Sequence, residues 1–124
     1  MAKIRPSSAK AKGREWQKRV AELVRKVFDL HEDDVVSRPM GSGGVDLMMS
    51  PKAQKEVGVS FECKKTTVEP TLKALKQSRH NAYPDTLGVV AWQPRGTGGD
   101  DGVVTLDIKD FLELVKRANK KESK

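Results

Sequence analysis

The apolar and polar positions change period along the chain, and each change marks an element. Over residues 13–30, Trp16, Val20, Leu23, Val24, Val27 and Phe28 recur at helical spacing, which predicts an amphipathic helix. Residues 31–34 are a polar break, with Asp33 and Asp34 as turn residues. Residues 35–38 read as a short strand that Pro39 either ends or confines to an edge. Val45, Leu47 and Met49 alternate with Asp46 and Met48, the period of a second strand. Residues 50–56 read as a polar hairpin loop. Residues 57–65 then sort into two faces, Val57, Val59, Phe61 and Cys63 against Gly58, Ser60, Glu62 and Lys64.

After a break at residues 66–70, Pro70 stands near the first turn of a helix whose apolar stripe is Leu72, Leu75 and Ala82. Residues 87–92 are a nearly continuous apolar run, the pattern of a strand covered on both faces. Residues 93–102 are a loop, and residues 103–106 a last strand. Asp107 can cap a final helix running through Ala118, with Asp110 three residues on and a core face of Ile108, Phe111, Leu112 and Val115. The elements predict an α/β fold, a mixed sheet flanked by helices. Residues 1–12 read as a flexible basic arm, residues 13–119 as a single domain and residues 120–124 as a charged tail.

Composition narrows the function. The chain has 124 residues, enough for one modest core. Its net charge of +7 calls for a polyanionic partner, of which nucleic acid is the commonest. No segment reaches the roughly 20 apolar residues that span a bilayer, and the basic N-terminus lacks the apolar core of a secretory signal. The single cysteine excludes a disulfide framework and a multi-thiolate zinc site, and fits a reducing, intracellular setting. The two histidines have no metal-ligand spacing.

The chemistry concentrates on Asp46, Glu62 and Lys64. An acid in mid-strand is disfavoured, and metal coordination would supply the reason for Asp46. Glu62 and Lys64, at i and i+2, project from the same side of a strand end. Two carboxylates on adjacent strands suit Mg²⁺, with Mn²⁺ able to substitute, and the backbone carbonyl of Cys63 could add a third oxygen. Lys64 could orient water or hold a phosphate as a point charge. Each residue also has a plainer reading. Glu15 near a helix start is a dipole-stabilising surface acid on composition alone, and the basic helix positions are a solvated face. His80 is a surface histidine. The glycine-rich segment 40–44 is either a turn or a place where a phosphate backbone approaches closely. It lacks the Gly-Lys-Ser/Thr of a P-loop.

Four segments taken together carry a resemblance: Lys12-Gly13-Arg14-Glu15, Val35-Val36-Ser37-Arg38, Gly41-Ser42-Gly43-Gly44-Val45-Asp46-Leu47 and Phe61-Glu62-Cys63-Lys64. The chain resembles the PD-(D/E)xK nuclease superfamily, and within it the Holliday junction resolvases of archaeal and phage type. The resemblance implies a restriction-endonuclease-like core in αβββαβ order, followed by a further strand and helix. It implies that Asp46, Glu62 and Glu15 bind metal, that Lys64 is catalytic, and that Gln77 matches a glutamine some members carry on the helix after the lysine strand. It implies a homodimer acting on branched or duplex DNA, in the cytoplasm or, for a phage protein, the host cytoplasm. One departure is Val45, where the motif has proline. Candidate DNA contacts are Arg14, Lys18, Arg38, Ser42, Gly43, Lys65, Lys73 and Arg95. The competing readings are a basic nucleic-acid-binding domain without catalysis, and a small structural or ribosome-associated basic protein in which Glu62 and Lys64 are an ordinary surface pair. Against binding alone stand the acids, which face a phosphate unfavourably without a cation.

Overall fold

The structure, a computed structural model, describes residues 6–39, 41 and 43–122. The elements run α1 (Pro6–Phe28), β1 (Val35–Ser37), β2 (Leu47–Met49), α2 (Pro51–Val57), β3 (Val59–Thr66), α3 (Leu72–Asn81), β4 (Leu87–Pro94), β5 (Val103–Thr105) and α4 (Ile108–Glu122). This is an α/β fold with mixed sheets. Strands β1 and β2 form an antiparallel pair, Val35 opposite Met49 and Ser37 opposite Leu47. Strand β3 runs parallel to β4, from Val59 opposite Leu87 to Thr66 opposite Pro94, and β5 adds antiparallel to β4. Helix α3 makes the crossover that a parallel pair requires.

The core lies between α1 and the sheets. Trp16, Val20, Ala21 and Val24 bury one stripe of α1 against Val35, Leu47, Met49 and Ala91, with Phe61 and Cys63 packed at its edge. The Trp16 indole N–H donates to the Ala91 carbonyl at 3.0 Å, which satisfies the one polar atom of a buried ring. Helix α3 closes the opposite face of β4. The Ser78 hydroxyl donates to the Val89 carbonyl at 2.7 Å. Gly88 allows this approach, because a Cβ there would stand 2.6 Å from the Arg79 Cα and the Ser78 carbonyl. The apolar run of β4 is therefore covered on both faces, as its composition predicts.

Five expectations are corrected. The basic arm does not end at residue 12: α1 already begins at Pro6, since Pro6 suits a first helical position and Ala9, Lys10, Ala11 and Lys12 are good helix formers. The expected hairpin loop at residues 50–56 is helix α2. The Ser50 hydroxyl caps it by accepting the Ala53 N–H at 3.1 Å, and Gly58 ends it at φ 71°. This helix interrupts the predicted run of three strands. Val27 lies outside the buried stripe of α1, 74 % exposed. The predicted core face of α4 is exposed: Ile108 72 %, Phe111 50 %, Leu112 57 % and Val115 40 %. Helix α4 continues past the expected tail boundary to Glu122, and Asp107 caps it through the Lys109 N–H at 2.8 Å. Among the described residues, no helix is long and apolar enough to cross a membrane.

Candidate active site

The two sheets meet at Asp46. Its N–H donates to the Phe61 carbonyl of β3 at 3.1 Å, while its own carbonyl accepts from Arg38 N–H at 2.8 Å. Its side chain turns to the same strand, where Oδ2 accepts the Cys63 N–H at 2.7 Å. Glu62 lies on the neighbouring position of β3, and its Oε1 is 3.6 Å from Lys64 Nζ. Asp46, Glu62 and Lys64 thus converge, and the alternation of residues 57–65 accounts for Glu62 and Lys64 sharing a side. The faces differ from expectation in one respect. The side with Ser60 and Glu62 is the more deeply buried, because α3 and the turn after it cover that end of the strand. Ser60 is occupied there by Thr86 Oγ1 at 2.6 Å and by the Tyr83 N–H at 3.0 Å.

The electrostatics follow from burial. Burial raises the Asp46 carboxyl above its usual range, against the lowering effect of the Cys63 N–H, Lys64 and Arg38. Burial raises Glu62 as well, and the negative charge of Asp46 adds to it, with Lys64 opposing. The Cys63 thiol is pushed well up by burial and then by both carboxylates. Two acids therefore share one ammonium in a half-dry site.

The first helix contributes a residue other than the one expected. Gln17, 3 % exposed, donates from Nε2 to the carbonyls of Arg38 and Asp46, each at 2.8 Å. Two backbone acceptors fix the amide orientation. Glu15 does not join Asp46 and Glu62. Two residues along a helix are about 200° apart, so with Gln17 inward Glu15 is exposed and lines a cleft with Lys12 and Lys65. The signal for Gln17 was its spacing: it shares a face with Val20, Ala21 and Val24 at i+3, i+4 and i+7. Gln77 is likewise outside the constellation. The buried positions of α3 are Leu75 and Ser78, and at 100° per residue Gln77 points about 130° away from their mean direction.

The basic candidates divide between two places. The Arg38 Nε donates to the Val45 carbonyl at 2.5 Å, and its guanidinium lies 3.2 Å from where a Cβ of Gly44 would stand, beside Asp46. Gly43 is exposed in the same loop, and Ser42 lies outside the described residues. Lys65 projects from β3 on the side opposite Lys64, toward α1, with Lys18 lining the same cleft. Arg95 follows β4, its N–H donating to the Thr66 carbonyl at 3.2 Å. Arg14 is exposed on α1 and Lys73 on α3.

Among the described residues, no three His, Cys, Asp or Glu side chains gather as a metal cluster. The donor set present is smaller: Asp46, Glu62 and the Cys63 carbonyl. Alternate residues of a strand direct their backbone groups to alternate sides, so the Cys63 carbonyl lies on the side where its N–H meets Asp46. Hard oxygens with two carboxylates fit Mg²⁺, which takes one or two from protein and keeps several waters. In comparisons with protein-family models, with curated proteins and with solved structures, nothing matches this chain.

Proposed function

We propose that the chain is a metal-dependent phosphodiesterase acting on DNA, and that its preferred substrate is a branched duplex such as a four-way junction. The observation that carries the reading is the convergence of Asp46, Glu62 and Lys64 on β3. Asp46 and Glu62, with the Cys63 carbonyl, are the residues that would hold Mg²⁺ or Mn²⁺. A divalent cation there supplies charge neutralisation at the phosphate. Hydrolysis adds water to phosphorus, breaks one P–O bond and delivers a proton to the leaving oxygen. Lys64 Nζ stands where it can hold a non-bridging oxygen of that phosphate. Gln17 positions Asp46 by tying its carbonyl to α1. The resemblance to a restriction-endonuclease-like core supports the same reading.

The proposal extends to a homodimer, with α4 as its contact. The exposed stripe of Ile108, Phe111, Leu112 and Val115 is of the kind that marks an interaction site. Acids Asp107, Asp110 and Glu113 precede bases Lys116, Arg117 and Lys120 along the chain. Within one copy Asp107 and Asp110 face Arg79 and Glu113 pairs with Arg117, so the apolar stripe is what a second copy would cover about a twofold axis.

Binding without cleavage is the second reading, and the lack of a third acid among the described residues favours it. The deciding experiment is a panel of labelled junction, duplex and single-stranded DNA with Mg²⁺ or with chelator. The nuclease reading expects Mg²⁺-dependent cleavage that disappears in Asp46→Asn, Glu62→Gln and Lys64→Ala while binding persists. Cleavage retained in all three, or wild-type binding with no cleavage of any substrate, overturns it.

A further inference from the structure

A second site lies on the other side of β3. A cleft of about 540 Å³ opens between α1 and the loop after β4, lined by Lys12, Lys18 and Lys65 and by the backbone of residues 96–99. Lys65 Nζ is anchored there by Gln93 Oε1 and the Thr97 carbonyl. The Gln93 amide donates onward to the carbonyls of Gly99 at 3.2 Å and Asp101 at 2.8 Å, so one glutamine ties the loop to the lysine. The loop is held to α1 from its far end by Arg19 and Asp100 at 2.8 Å. Gly96 and Gly99 take φ +91° and +61°, and a Cβ on Gly96, Gly98 or Gly99 would meet nothing within 4 Å. That stretch of backbone is bare and open to a ligand.

The charges are unequal. Glu22 is engaged by Arg19 at 3.2 Å. Glu15 is left to face Lys12, Lys18 and Lys65, with Arg95 nearby. Three lysines against one carboxylate, Glu15, leave the cleft positive and suited to an anion.

We infer that this cleft binds a phosphate group of nucleic acid, held by Lys12, Lys18 and Lys65 against residues 96–99, on the face of β3 opposite Glu62 and Lys64. The group is either a diester within a strand or a monoester at a strand end. The inference does not depend on cleavage, since every readout is binding.

The test is titration of the full chain with inorganic phosphate, followed by amide NMR and by thermal melting. The expected result is shifts at Gly96, Gly98 and Gly99 and a higher melting temperature. Lys12→Ala and Lys65→Ala each weaken phosphate binding about tenfold, whereas Lys55→Ala, at an exposed position of α2, leaves it within about twofold. Lys12 is exposed on α1, so Lys12→Ala keeps the test valid where Lys65→Ala disturbs the loop. Short oligonucleotides with 5′-phosphate or 5′-hydroxyl ends then separate the sources. Tighter binding of the phosphorylated end assigns a monoester, and equal binding with the same glycine shifts assigns a diester. Glycine amides unmoved by phosphate and by both oligonucleotides, or binding untouched by Lys12→Ala, overturns the inference.

Discussion

Replacing Gln17 by Met separates the two helix residues that compete for a place beside Asp46. Met keeps the length and approximate volume of the side chain and removes its donors. The Arg38 carbonyl then loses its Gln17 donor inside the structure, at a cost of about 1–3 kcal/mol for an unsatisfied buried acceptor. The Asp46 carbonyl loses one of two donors, since the Arg38 N–H at 2.8 Å remains. A net hydrogen bond of that kind adds about 1 kcal/mol. The total is about 2–4 kcal/mol, and with a urea dependence of about 2 kcal/mol per molar the unfolding midpoint falls by about 1–2 M. Glu15→Gln, at an exposed position, changes stability by less than about 0.5 kcal/mol. Urea titrations followed by tryptophan fluorescence measure both, because Trp16 sits next to the substituted residue in the core. On the proposed function, junction cleavage well below the midpoint gives a second readout: Gln17→Met would lower kcat because Asp46 loses its tie to α1. If Gln17→Met unfolds within about 0.5 M of the parent protein and cleaves at the parent rate, the hydrogen bonds carry neither stability nor positioning.

Three further outcomes are expected. The raised carboxyls of Asp46 and Glu62, both due mainly to burial, keep protons in the folded chain above their ordinary values of 3.8 and 4.5. Their stabilising contribution is present below those values and is lost as pH rises through the folded ones. Thermal melts between about pH 4 and 7 will therefore show a smaller decline from this source in the Asp46→Asn, Glu62→Gln double variant, and an equal decline refutes the assignment. Gly88→Ala drives a methyl into the α3 backbone 2.6 Å away and lowers stability by about 1–3 kcal/mol, whereas Gly43→Ala, in open space, does not; denaturant midpoints compare them. Leu112→Lys, on the outward face of α4, leaves the fold intact by circular dichroism and converts a dimer to a monomer in sedimentation. A parent protein that sediments as a monomer at all concentrations refutes the α4 contact.

How much of this was legible in the sequence varies by element. The alternation of residues 57–65 placed Glu62 and Lys64 on one side, because a strand's period is set by the backbone alone. Asp46 stood out because an acid is disfavoured in the strand expected over residues 45–49; it precedes β2, which starts at Leu47, and sits against β3. Glu15 entered the site only through the resemblance, and Gln17, an uncharged amide on the buried face of α1, drew no expectation. Only the third dimension showed two carbonyls waiting for a donor. Helix α2 carried its signals in plain view, Ser50 and Pro51 at one end and Gly58 at the other, yet its seven residues are too few for a clear period. The stripe of α4 was read correctly as apolar and wrongly as core. Periodicity identifies a face that requires covering and says nothing of what covers it.

The position of Asp46 at the seam between two sheets has a kinetic consequence. Its partners Phe61 and Cys63 are distant in sequence, the latter by 17 residues, so the acid finds its place only once the hairpin of β1 and β2 has docked on β3. A chain that has collapsed around α1 and β3–β4 but lacks that docking carries Glu62 and Lys64 without their companion. During refolding, the meeting of Asp46 with Glu62 and Lys64 is therefore a tertiary step that lags the recovery of helix and strand.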